Sequence, residues 1–365
     1  MRYLQIQVKG YRALADITLD LHPLTVMIGP NGCGKTSLLE VFHLLKEAAL
    51  GRLAETITNL GGLDALLTRT SDVHARLEIA VRVSEASTRL IEPVTYRFVV
   101  EPRAIGYAVV MEGLEDSAFR SEKHIPPYLG PNKKELSEIH SLRDSESLPH
   151  PLASTLLLGP LDISPRAPIR LPQTLTPDVF AGRNGESLFP ALYNLRETKA
   201  YQSIYSRIEE ILGLAFPSFE QLKLRVVGAG QITLEWSERD LLVPLYPNQL
   251  SEGTLRFLWL ITALLSPEPP PLILIDEPEV SLHPELLKIL AALLQDASAR
   301  TQILLATHSS DLIRWLQPDE VVVIDKAEGK STFTWANDPS LNLTEWLKEY
   351  TLSDLWLMGN LGGRP

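Results

Sequence analysis

A glycine-rich loop between a short apolar segment and an amphipathic one constrains the fold of this chain more than any other feature. Residues 29–36 read GPNGCGKT and complete the G-x-x-x-x-G-K-[ST] pattern of a phosphate-binding loop. Residues 24–28 before it are apolar and β-prone, and residues 37–50 after it carry apolar side chains at helical spacing. Glycines let backbone N–H groups surround a polyphosphate, and the new helix points its positive end at the same anion. We therefore expect a strand, loop and helix that bind a nucleotide.

The loop residues have separate expected roles. Lys35 should reach the β- and γ-phosphates of the nucleotide, and the hydroxyl of Thr36 should ligate Mg²⁺. We interpret Cys33, at a variable position of the pattern, as a tolerated small residue rather than a redox switch. The predicted nucleotide contacts in the loop are Gly29, Pro30, Asn31, Gly32, Cys33, Gly34, Lys35, Thr36 and Ser37.

Composition narrows the compartment and the classes of partner. A single cysteine among 365 residues excludes an internal disulfide framework and suits a reducing cytosol. The first residues alternate like a strand instead of forming a signal peptide's apolar core, and no apolar run approaches the roughly 20 residues of a membrane helix. The net charge of −11 argues against a generally basic nucleic-acid binder, although a local patch could still bind DNA. We expect a cytoplasmic protein with no membrane contact.

Hydrophobic periodicity predicts an α/β fold with an antiparallel addition. Period-2 runs over residues 75–83, 96–101 and 106–112 predict an antiparallel meander. From residue 250 onward, helical and buried-strand patterns alternate, which is typical of a parallel sheet. The other predicted strands are 3–8, 17–21, 24–28, 222–227, 231–236, 271–275, 301–306 and 320–324, and the predicted helices are 37–50, 186–212 with a break near Lys199, 254–265, 284–298 and 311–316.

The middle of the chain is polar and rich in proline. We interpret residues 115–150 as a surface excursion that is partly helical around 134–142, and residues 151–190 as loop with short helix. Near the C-terminus, residues 346–356 predict a packed helix rather than a docking tail. We expect one domain over 1–365 with lobes at 1–114, 115–221, 222–340 and 341–365, of which 115–221 is a helical and irregular insertion.

Two buried strands end in side chains capable of chemistry. Open α/β sheets bind ligands at the carboxyl ends of their strands. Asp276 and Glu277 follow the apolar run at 272–275, so Asp276 can hold the Mg²⁺ shell and Glu277 can orient or deprotonate the attacking water. His308 ends the apolar run that begins at residue 304, and we expect it at the same edge.

A serine and a glycine precede the apolar helix at 254–265. Ser251 and Gly253 can provide a side-chain cap and bare N–H groups, which together form a second anion site. Taken alone, this pattern is more typical of an ordinary helix cap than of a binding site. Its place shortly before the strand that carries Asp276 favours the binding interpretation.

Taken in order, the segments GPNGCGKT, LSEGT, LILIDEPEVSLHP and ATHS resemble the motifs of an ABC-superfamily ATPase. The opening VKGYRA is similar to the start of the SMC/RecF/OLD-like branch, and the chain most resembles the stand-alone ATPases of that branch. The resemblance implies an ABC-type head with a parallel RecA-like sheet, an antiparallel β-meander and a helical lobe. It implies two ATP molecules between two antiparallel subunits, with Ser251 and Gly253 of one completing the Lys35 site of the other. It also assigns His308 to the γ-phosphate.

Several departures from the family pattern leave roles open. Transport-type ABC proteins carry a glutamine soon after the phosphate loop, whereas here the first glutamine beyond the loop is Gln173, a weak candidate for that role. The pair His283-Pro284 stands where an aspartate is common in the loop that crosses to the partner subunit. Tyr11 or Arg12 could contact the base or the α-phosphate, or could serve only the strand turn. No sustained heptad pattern and no D-x-D motif of a Toprim domain is present.

These observations predict an ATPase that depends on Mg²⁺ and forms a homodimer when it binds ATP. The closure would drive or gate a DNA-related or defence-related effector. The alternatives are an ATP-gated scaffold with negligible turnover and, less favoured, the energy module of a transporter. A DNA patch would draw on the cationic side chains of the middle segment, namely Lys133, Lys134, Arg166 and Arg170.

Overall fold

Three β-sheets organise the chain. The computed structural model describes residues 2–69, 76–84, 93–104, 106–115, 152–341, 343, 349–359 and 361. The described strands are β1 (Arg2–Tyr11), β2 (Leu14–Asp20), β3 (Leu24–Ile28), β4 (Leu77–Ser84), β5 (Val94–Pro102), β6 (Tyr107–Glu115), β7 (Leu156–Leu158), β8 (Gln173–Thr174), β9 (Phe219–Gly228), β10 (Gln231–Glu238), β11 (Leu272–Asp276), β12 (Gln302–Thr307), β13 (Val321–Ala327) and β14 (Lys330–Trp335).

Helices connect and cover these strands. The described α-helices are α1 (Lys35–Ala49), α2 (Leu53–Asn59), α3 (Leu63–Leu66), α4 (Leu188–Glu197), α5 (Gln202–Ala215), α6 (Glu252–Leu264), α7 (Pro284–Ser298), α8 (Ser310–Ile313) and α9 (Leu352–Leu357). Short 3₁₀ turns lie at Pro168–Arg170, Pro318–Glu320 and Pro339–Leu341. None of the helices in the described ranges is long and apolar enough to cross a membrane.

The six-stranded sheet forms the centre of the molecule. Its strand order is β14-β13-β3-β12-β11-β7, and its neighbours pair in parallel except for β14, which lies antiparallel on the edge. The side chains of β3 alternate between two cores: Val26 and Ile28 face one, and Met27 faces the other. Because both faces are covered, the central strands β3, β11 and β12 are mostly apolar, as expected for a parallel sheet.

The five-stranded antiparallel sheet packs with α1 on one face of the central sheet. Its order is β2-β1-β4-β5-β6, and the last three strands form the predicted meander. The ring of Tyr3 meets Phe42 of α1 edge-on with centroids 5.9 Å apart. The buried amide of Gln302 accepts from the Tyr3 N–H at 2.9 Å and donates to the Tyr3 carbonyl at 2.8 Å, which joins β1 to the central sheet.

The opposite face of the central sheet carries a second lobe. The sheet β8-β10-β9 and the helices α4 to α7 share one apolar core, which includes Trp236 and Trp259. Helices α4 and α5 are separated at residues 198–201, which confirms the predicted break near Lys199.

The predicted α/β fold class is confirmed, with three strands that the sequence patterns did not indicate. Strands β7 and β8 have only 3 and 2 residues and lie in a segment expected to be loop with short helix. Strand β14 follows β13 through a tight turn at residues 328–329. Strand β7 pairs with β11, so part of the segment assigned to the insertion belongs to the central sheet. The helix predicted at 134–142 lies outside the described residues, as does part of the one at 346–356.

Candidate nucleotide-binding site

The phosphate loop lies at the carboxyl edge of the central sheet, directly after β3. Gly29 packs so closely against β13 that a Cβ would lie 2.2 Å from the Ile324 carbonyl oxygen. Gly34 has a φ of 107° and ends the loop as the N-cap of α1, with no side chain capping the helix. The Ser331 hydroxyl donates to the Cys33 carbonyl at 2.6 Å and supports the loop from β14. The first N–H groups of α1 are thus left for an anion.

Lys35 is buried beneath this loop, with 4% of its surface exposed. Its ammonium group donates to the Gly29 carbonyl at 2.7 Å and the Pro30 carbonyl at 3.1 Å. Burial lowers the pKa of Lys35, while Cys33, Glu277 and Asp276 act in the opposite direction. These carbonyl bonds are ones that phosphate oxygens can replace.

Thr36 and Asp276 meet across the edge of the sheet. The Thr36 hydroxyl donates to Asp276 Oδ1 at 3.3 Å, so both oxygens face one point. Burial, together with the charge of Glu277, raises the pKa of Asp276 to about 6 against the hydrogen bond from Thr36. The raised pKa means that ionisation of the Asp276 carboxyl is disfavoured. A cation between the two oxygens would offset this, because an opposite charge stabilises the ionised carboxylate. The residues therefore fit a Mg²⁺ ion.

Glu277 and His308 lie beside the lysine. His308 Nδ1 is 3.5 Å from Lys35 Nζ, and His308 Nε2 is 3.5 Å from Glu277 Oε1. Burial and the Lys35 charge lower the pKa of His308, with Glu277 acting against them, so the ring is neutral at neutral pH. Since an ammonium group only donates, Nδ1 is the acceptor and the proton is on Nε2, which faces Glu277.

The backbone at Glu277 has a φ of 48°, an uncommon conformation for a residue other than glycine. A hydrogen bond of 2.9 Å from its N–H to the Ala306 carbonyl holds it there. Strain of this kind costs on the order of 1–3 kcal/mol and tends to occur at functional sites. Here it directs the carboxylate out of the strand and towards His308.

The segment expected to face a partner's nucleotide begins α6. Ser251 Oγ accepts from the Thr254 N–H at 3.1 Å and caps the helix, as the simpler interpretation predicted. A Cβ on Gly253 would lie 2.4 Å from the Ser281 carbonyl oxygen. Glycine is thus required at 253 for packing within the chain, whether or not its N–H also binds an anion.

A protein family described as "AAA domain, putative AbiEii toxin, Type IV TA system" matches residues 24–314. This range contains the phosphate loop, Asp276, Glu277 and His308, and most of the chain. The chain belongs to this AAA domain family.

Three known proteins that are similar to this chain are consistent with that family. An OLD nuclease from Thermus scotoductus is 24% identical over an alignment of 324 residues. The alignment covers 84% of this chain but only 58% of the relative's own length. A solved SMC head bound to the C-winged helix domain of ScpA has a TM-score of 0.62 at 15% identity and covers 94% of this chain and 100% of that one. An SMC head from Pyrococcus furiosus with an extended coiled coil, bound to the C-terminal domain of ScpA, has a TM-score of 0.59 at 13% identity, covering 95% and 100%.

The AAA domain thus has the SMC-head fold, which confirms the resemblance to an ABC-type ATPase of the SMC/RecF/OLD-like branch. The solved structures support the fold alone, since their identities are low. For the individual residues of the site, the geometry of this chain is the relevant observation.

Tyr11 and Arg12, which precede the range matched by the family, turn towards α1. The Arg12 guanidinium pairs with Glu40 at 2.8 Å, and the Tyr11 hydroxyl donates to the same carboxylate at 3.0 Å. Tyr11 is fully buried, whereas about a third of the Arg12 side chain is exposed. Arg12 is therefore the more exposed of the two side chains, and Glu40 holds it in place.

Gln173, the weak candidate for the missing glutamine, is used within the lobe. Its amide donates to the Pro168 and Gly185 carbonyls at 3.1 and 2.6 Å and accepts from the Phe189 N–H at 2.9 Å. Both donors and the acceptor are satisfied by backbone, and the residue is 5% exposed. Packing accounts for Gln173 without a nucleotide.

Arg170, one of the residues expected in a DNA patch, is also occupied by backbone. Its guanidinium donates to the carbonyls of Ile163 at 2.7 Å, Pro247 at 2.9 Å and Leu250 at 3.0 Å. It therefore supports the segment that leads into Ser251. Arg166 is exposed, and Lys133 and Lys134 lie outside the described residues.

Glu279 is the site residue that sequence reasoning missed. Its Oε1 accepts from the Thr307 hydroxyl at 2.7 Å and from the His308 N–H at 2.8 Å. A third acid so soon after Asp276 and Glu277 was the only signal for it, and acids are common in such turns.

Proposed function

We propose that this chain is a Mg²⁺-dependent ATPase whose head closes around ATP with a second copy of itself. The observation that supports this best is the convergence of five side chains from three adjacent strand ends, at contact distances of 3.3 to 3.5 Å. These side chains are Lys35, Thr36, Asp276, Glu277 and His308. A phosphate loop, a metal pair and a base in one place are the parts that phosphoryl transfer to water needs.

Glu277 is the proposed general base. Water attacks the γ-phosphorus, the bond from that phosphorus to the bridging oxygen of ADP breaks, and the water proton passes to Glu277. Neutral His308 donates from Nε2 and orients Glu277 or the γ-phosphate. Lys35 exchanges its bonds to the Gly29 and Pro30 carbonyls for phosphate oxygens, which neutralises charge on the transferred group.

Thr36 and Asp276 are the proposed protein ligands of Mg²⁺. No group of three or more His, Cys, Asp or Glu side chains able to hold a metal occurs in the described part of the chain. Mg²⁺ needs none here, because it commonly binds through one or two protein oxygens together with waters and substrate phosphates. When bound, the ion supplies positive charge to the β- and γ-phosphate oxygens.

Dimerisation is proposed from residues 250–254 (LSEGT) at the start of α6, here called the signature segment, which the family resemblance assigns to the nucleotide of a second subunit. Ser251 is exposed at the start of α6, where a helix N-terminus attracts an anion, and the segment before it is braced by Arg170. In this proposal the anion is the ATP held by Lys35 of the other copy.

The client of the ATPase is proposed to be a DNA-related or defence-related effector. Support comes from the printed name of the relative, a nuclease, and from the family description, which names a toxin. Co-purification of the native protein with its partners tests this part; a membrane transporter as the partner would contradict it.

ATP turnover with Mg²⁺ and with EDTA tests the activity itself. We expect turnover that requires Mg²⁺ and falls at least ~10-fold in Asp276→Asn, since one charge-assisted ligand is lost. The exposed Asp296→Asn on α7 is the matched control and should behave as wild type. ATP binding without turnover in the wild type would contradict the ATPase and support the ATP-gated scaffold.

A further inference from the structure

His308 lies just beyond the last residue of β12, where the sheet no longer holds the backbone. The final pair on one side of β12 joins Thr307 to Ile28, and on the other side Ala306 to Asp276. Beyond this point the His308 N–H bonds to a side chain, Oε1 of Glu279, at 2.8 Å. The position of the imidazole relative to Lys35 and Glu277 therefore depends on a carboxylate from a different segment.

The same Glu279 oxygen holds His308 by a second route. It accepts from the Thr307 hydroxyl at 2.7 Å, and that hydroxyl in turn accepts from the Ser309 N–H at 2.9 Å. Three consecutive residues around the histidine are thus fixed, directly or through Thr307, to one carboxylate. Buried charge-assisted hydrogen bonds of this kind are stronger than neutral ones.

The other oxygen of Glu279 lies in a buried environment near a charged side chain, Arg256. Within the described residues, Glu279 Oε2 is buried with no hydrogen-bond partner, and so is Nε of Arg256. Arg256 is 4% exposed, and the carboxylates of Glu252, Glu279 and Glu277 counter the lowering of its pKa by burial. Arg256 lies one turn after Gly253, which itself packs against Ser281 of the turn that carries Glu279.

We propose that Glu279 is the positioning residue for His308. The proposal rests on the proposed ATPase function, because it gives His308 a task at the γ-phosphate. It adds a physical connection inside one subunit: the start of α6 packs through Gly253 against Ser281, in the turn whose Glu279 holds the histidine. A change in the position of α6 would reach His308 without passing through the phosphate loop.

Glu279→Ala tests the positioning role. We expect kcat to fall about 100-fold, the scale of misplacing a catalytic group by about 1 Å, while the Kd for ATP changes less than about 3-fold because Lys35 and Thr36 are untouched. Glu279→Gln keeps an acceptor oxygen for both hydrogen bonds and should recover most of kcat. Exposed Glu285→Gln on α7 is the control and should match wild type.

Thr307 supplies a second pair of variants in case Glu279→Ala fails to fold. Thr307→Val keeps the shape and removes the hydroxyl bridge, so kcat should fall about 10-fold, whereas Thr307→Ser should behave as wild type. Losses in Kd and thermal stability that parallel the loss in kcat would overturn the positioning role, because a purely structural residue would produce them. Wild-type kcat in Glu279→Ala would overturn it as well.

A spectroscopic measurement separates this proposal from the proposed ATPase function. In protein labelled at histidine, the imidazole signal assigned by His308→Gln should shift in Glu279→Ala and not in Glu285→Gln, with or without turnover. An unchanged signal contradicts the positioning role, whereas absence of turnover in the wild type contradicts only the ATPase.

Discussion

The site has two halves: the phosphate-loop half, which includes Lys35 and His308, and the signature half, which is the start of α6 around Ser251. The two halves are held in place in different ways. Lys35 contacts the loop carbonyls and His308 directly, so the first half is a closed set of mutual contacts. Ser251 bonds to its own helix, at Thr254, and the supports of its segment come from behind, through Arg170 and Ser281. The arrangement of the phosphate-loop half suits a ligand held within the chain. The signature half presents an exposed helix start that Arg170 and Ser281 hold in position.

This difference suggests a division of labour. Side chains that touch one another across strand ends can act on a bound phosphate together. A braced and exposed helix start can act only on something brought to it. The predictions below separate the two halves, in order of decreasing effect.

Glu277→Gln should have the largest effect, and only on the chemistry of the first half. We expect hydrolysis to fall at least ~100-fold with ATP binding retained, the scale of removing a positioned base. Single-turnover hydrolysis and equilibrium binding, measured beside Glu285→Gln, check this. Wild-type hydrolysis in Glu277→Gln would show that Glu277 is not the base.

Ser251→Arg should affect only the second half. A bulky cation at the start of α6 opposes an interface, where an unpaired buried charge costs about 2–5 kcal/mol, so the ATP-dependent dimer should be lost at tens of micromolar protein. Light scattering in the Glu277→Gln background, with and without Mg-ATP, measures this, and exposed Ser203→Arg on α5 is the control. Binding of ATP to the single chain should change less than about 3-fold. If the Glu277→Gln protein without the Ser251 substitution is also a monomer with Mg-ATP, the proposed dimer is contradicted.

Lys35→Ala should weaken ATP binding about 10- to 30-fold. Charge-assisted hydrogen bonds contribute about 1.5–3 kcal/mol each, but Lys35 gives up its bonds to Gly29 and Pro30 when it turns to phosphate, so the net loss lies at the low end. Titration with a fluorescent ATP analogue checks this against Lys223→Ala, an exposed lysine of β9. Equal affinities in the two variants would contradict the assigned role of Lys35.

Arg170→Met should give the smallest effect, and it tests whether the two halves of the site are independent. Loss of three bonds to backbone carbonyls should loosen the segment before Ser251 and weaken the dimer several-fold, with a fall in Tm of a few degrees. Arg166→Met, four residues earlier and exposed, is the control. A loss of ATP affinity in the single chain as large as the loss in the dimer would show that the two halves are not separate.

Much of the fold followed from local pattern. The bounds predicted for β3 and α7 agree with the structure, and the meander and the break between α4 and α5 are also confirmed. Strands β7, β8 and β14 were missed. Strands of 3 and 2 residues carry too little periodicity to be recognised, and the antiparallel edge strand β14 has no motif of its own.

The sequence by itself determined the phosphate loop and the two acids after β11, since glycine spacing and an apolar run ending in carboxylates are local properties of the chain. Only the tertiary structure decided the partners of Gln173, Arg170 and Glu279. Except for the bond from the Thr307 hydroxyl to Glu279, their hydrogen bonds join them to backbone groups, at separations that reach 80 residues for Arg170 and Leu250. A backbone carbonyl or N–H is the same at every position in a sequence, so which one a buried side chain meets is set by how the strands and helices pack.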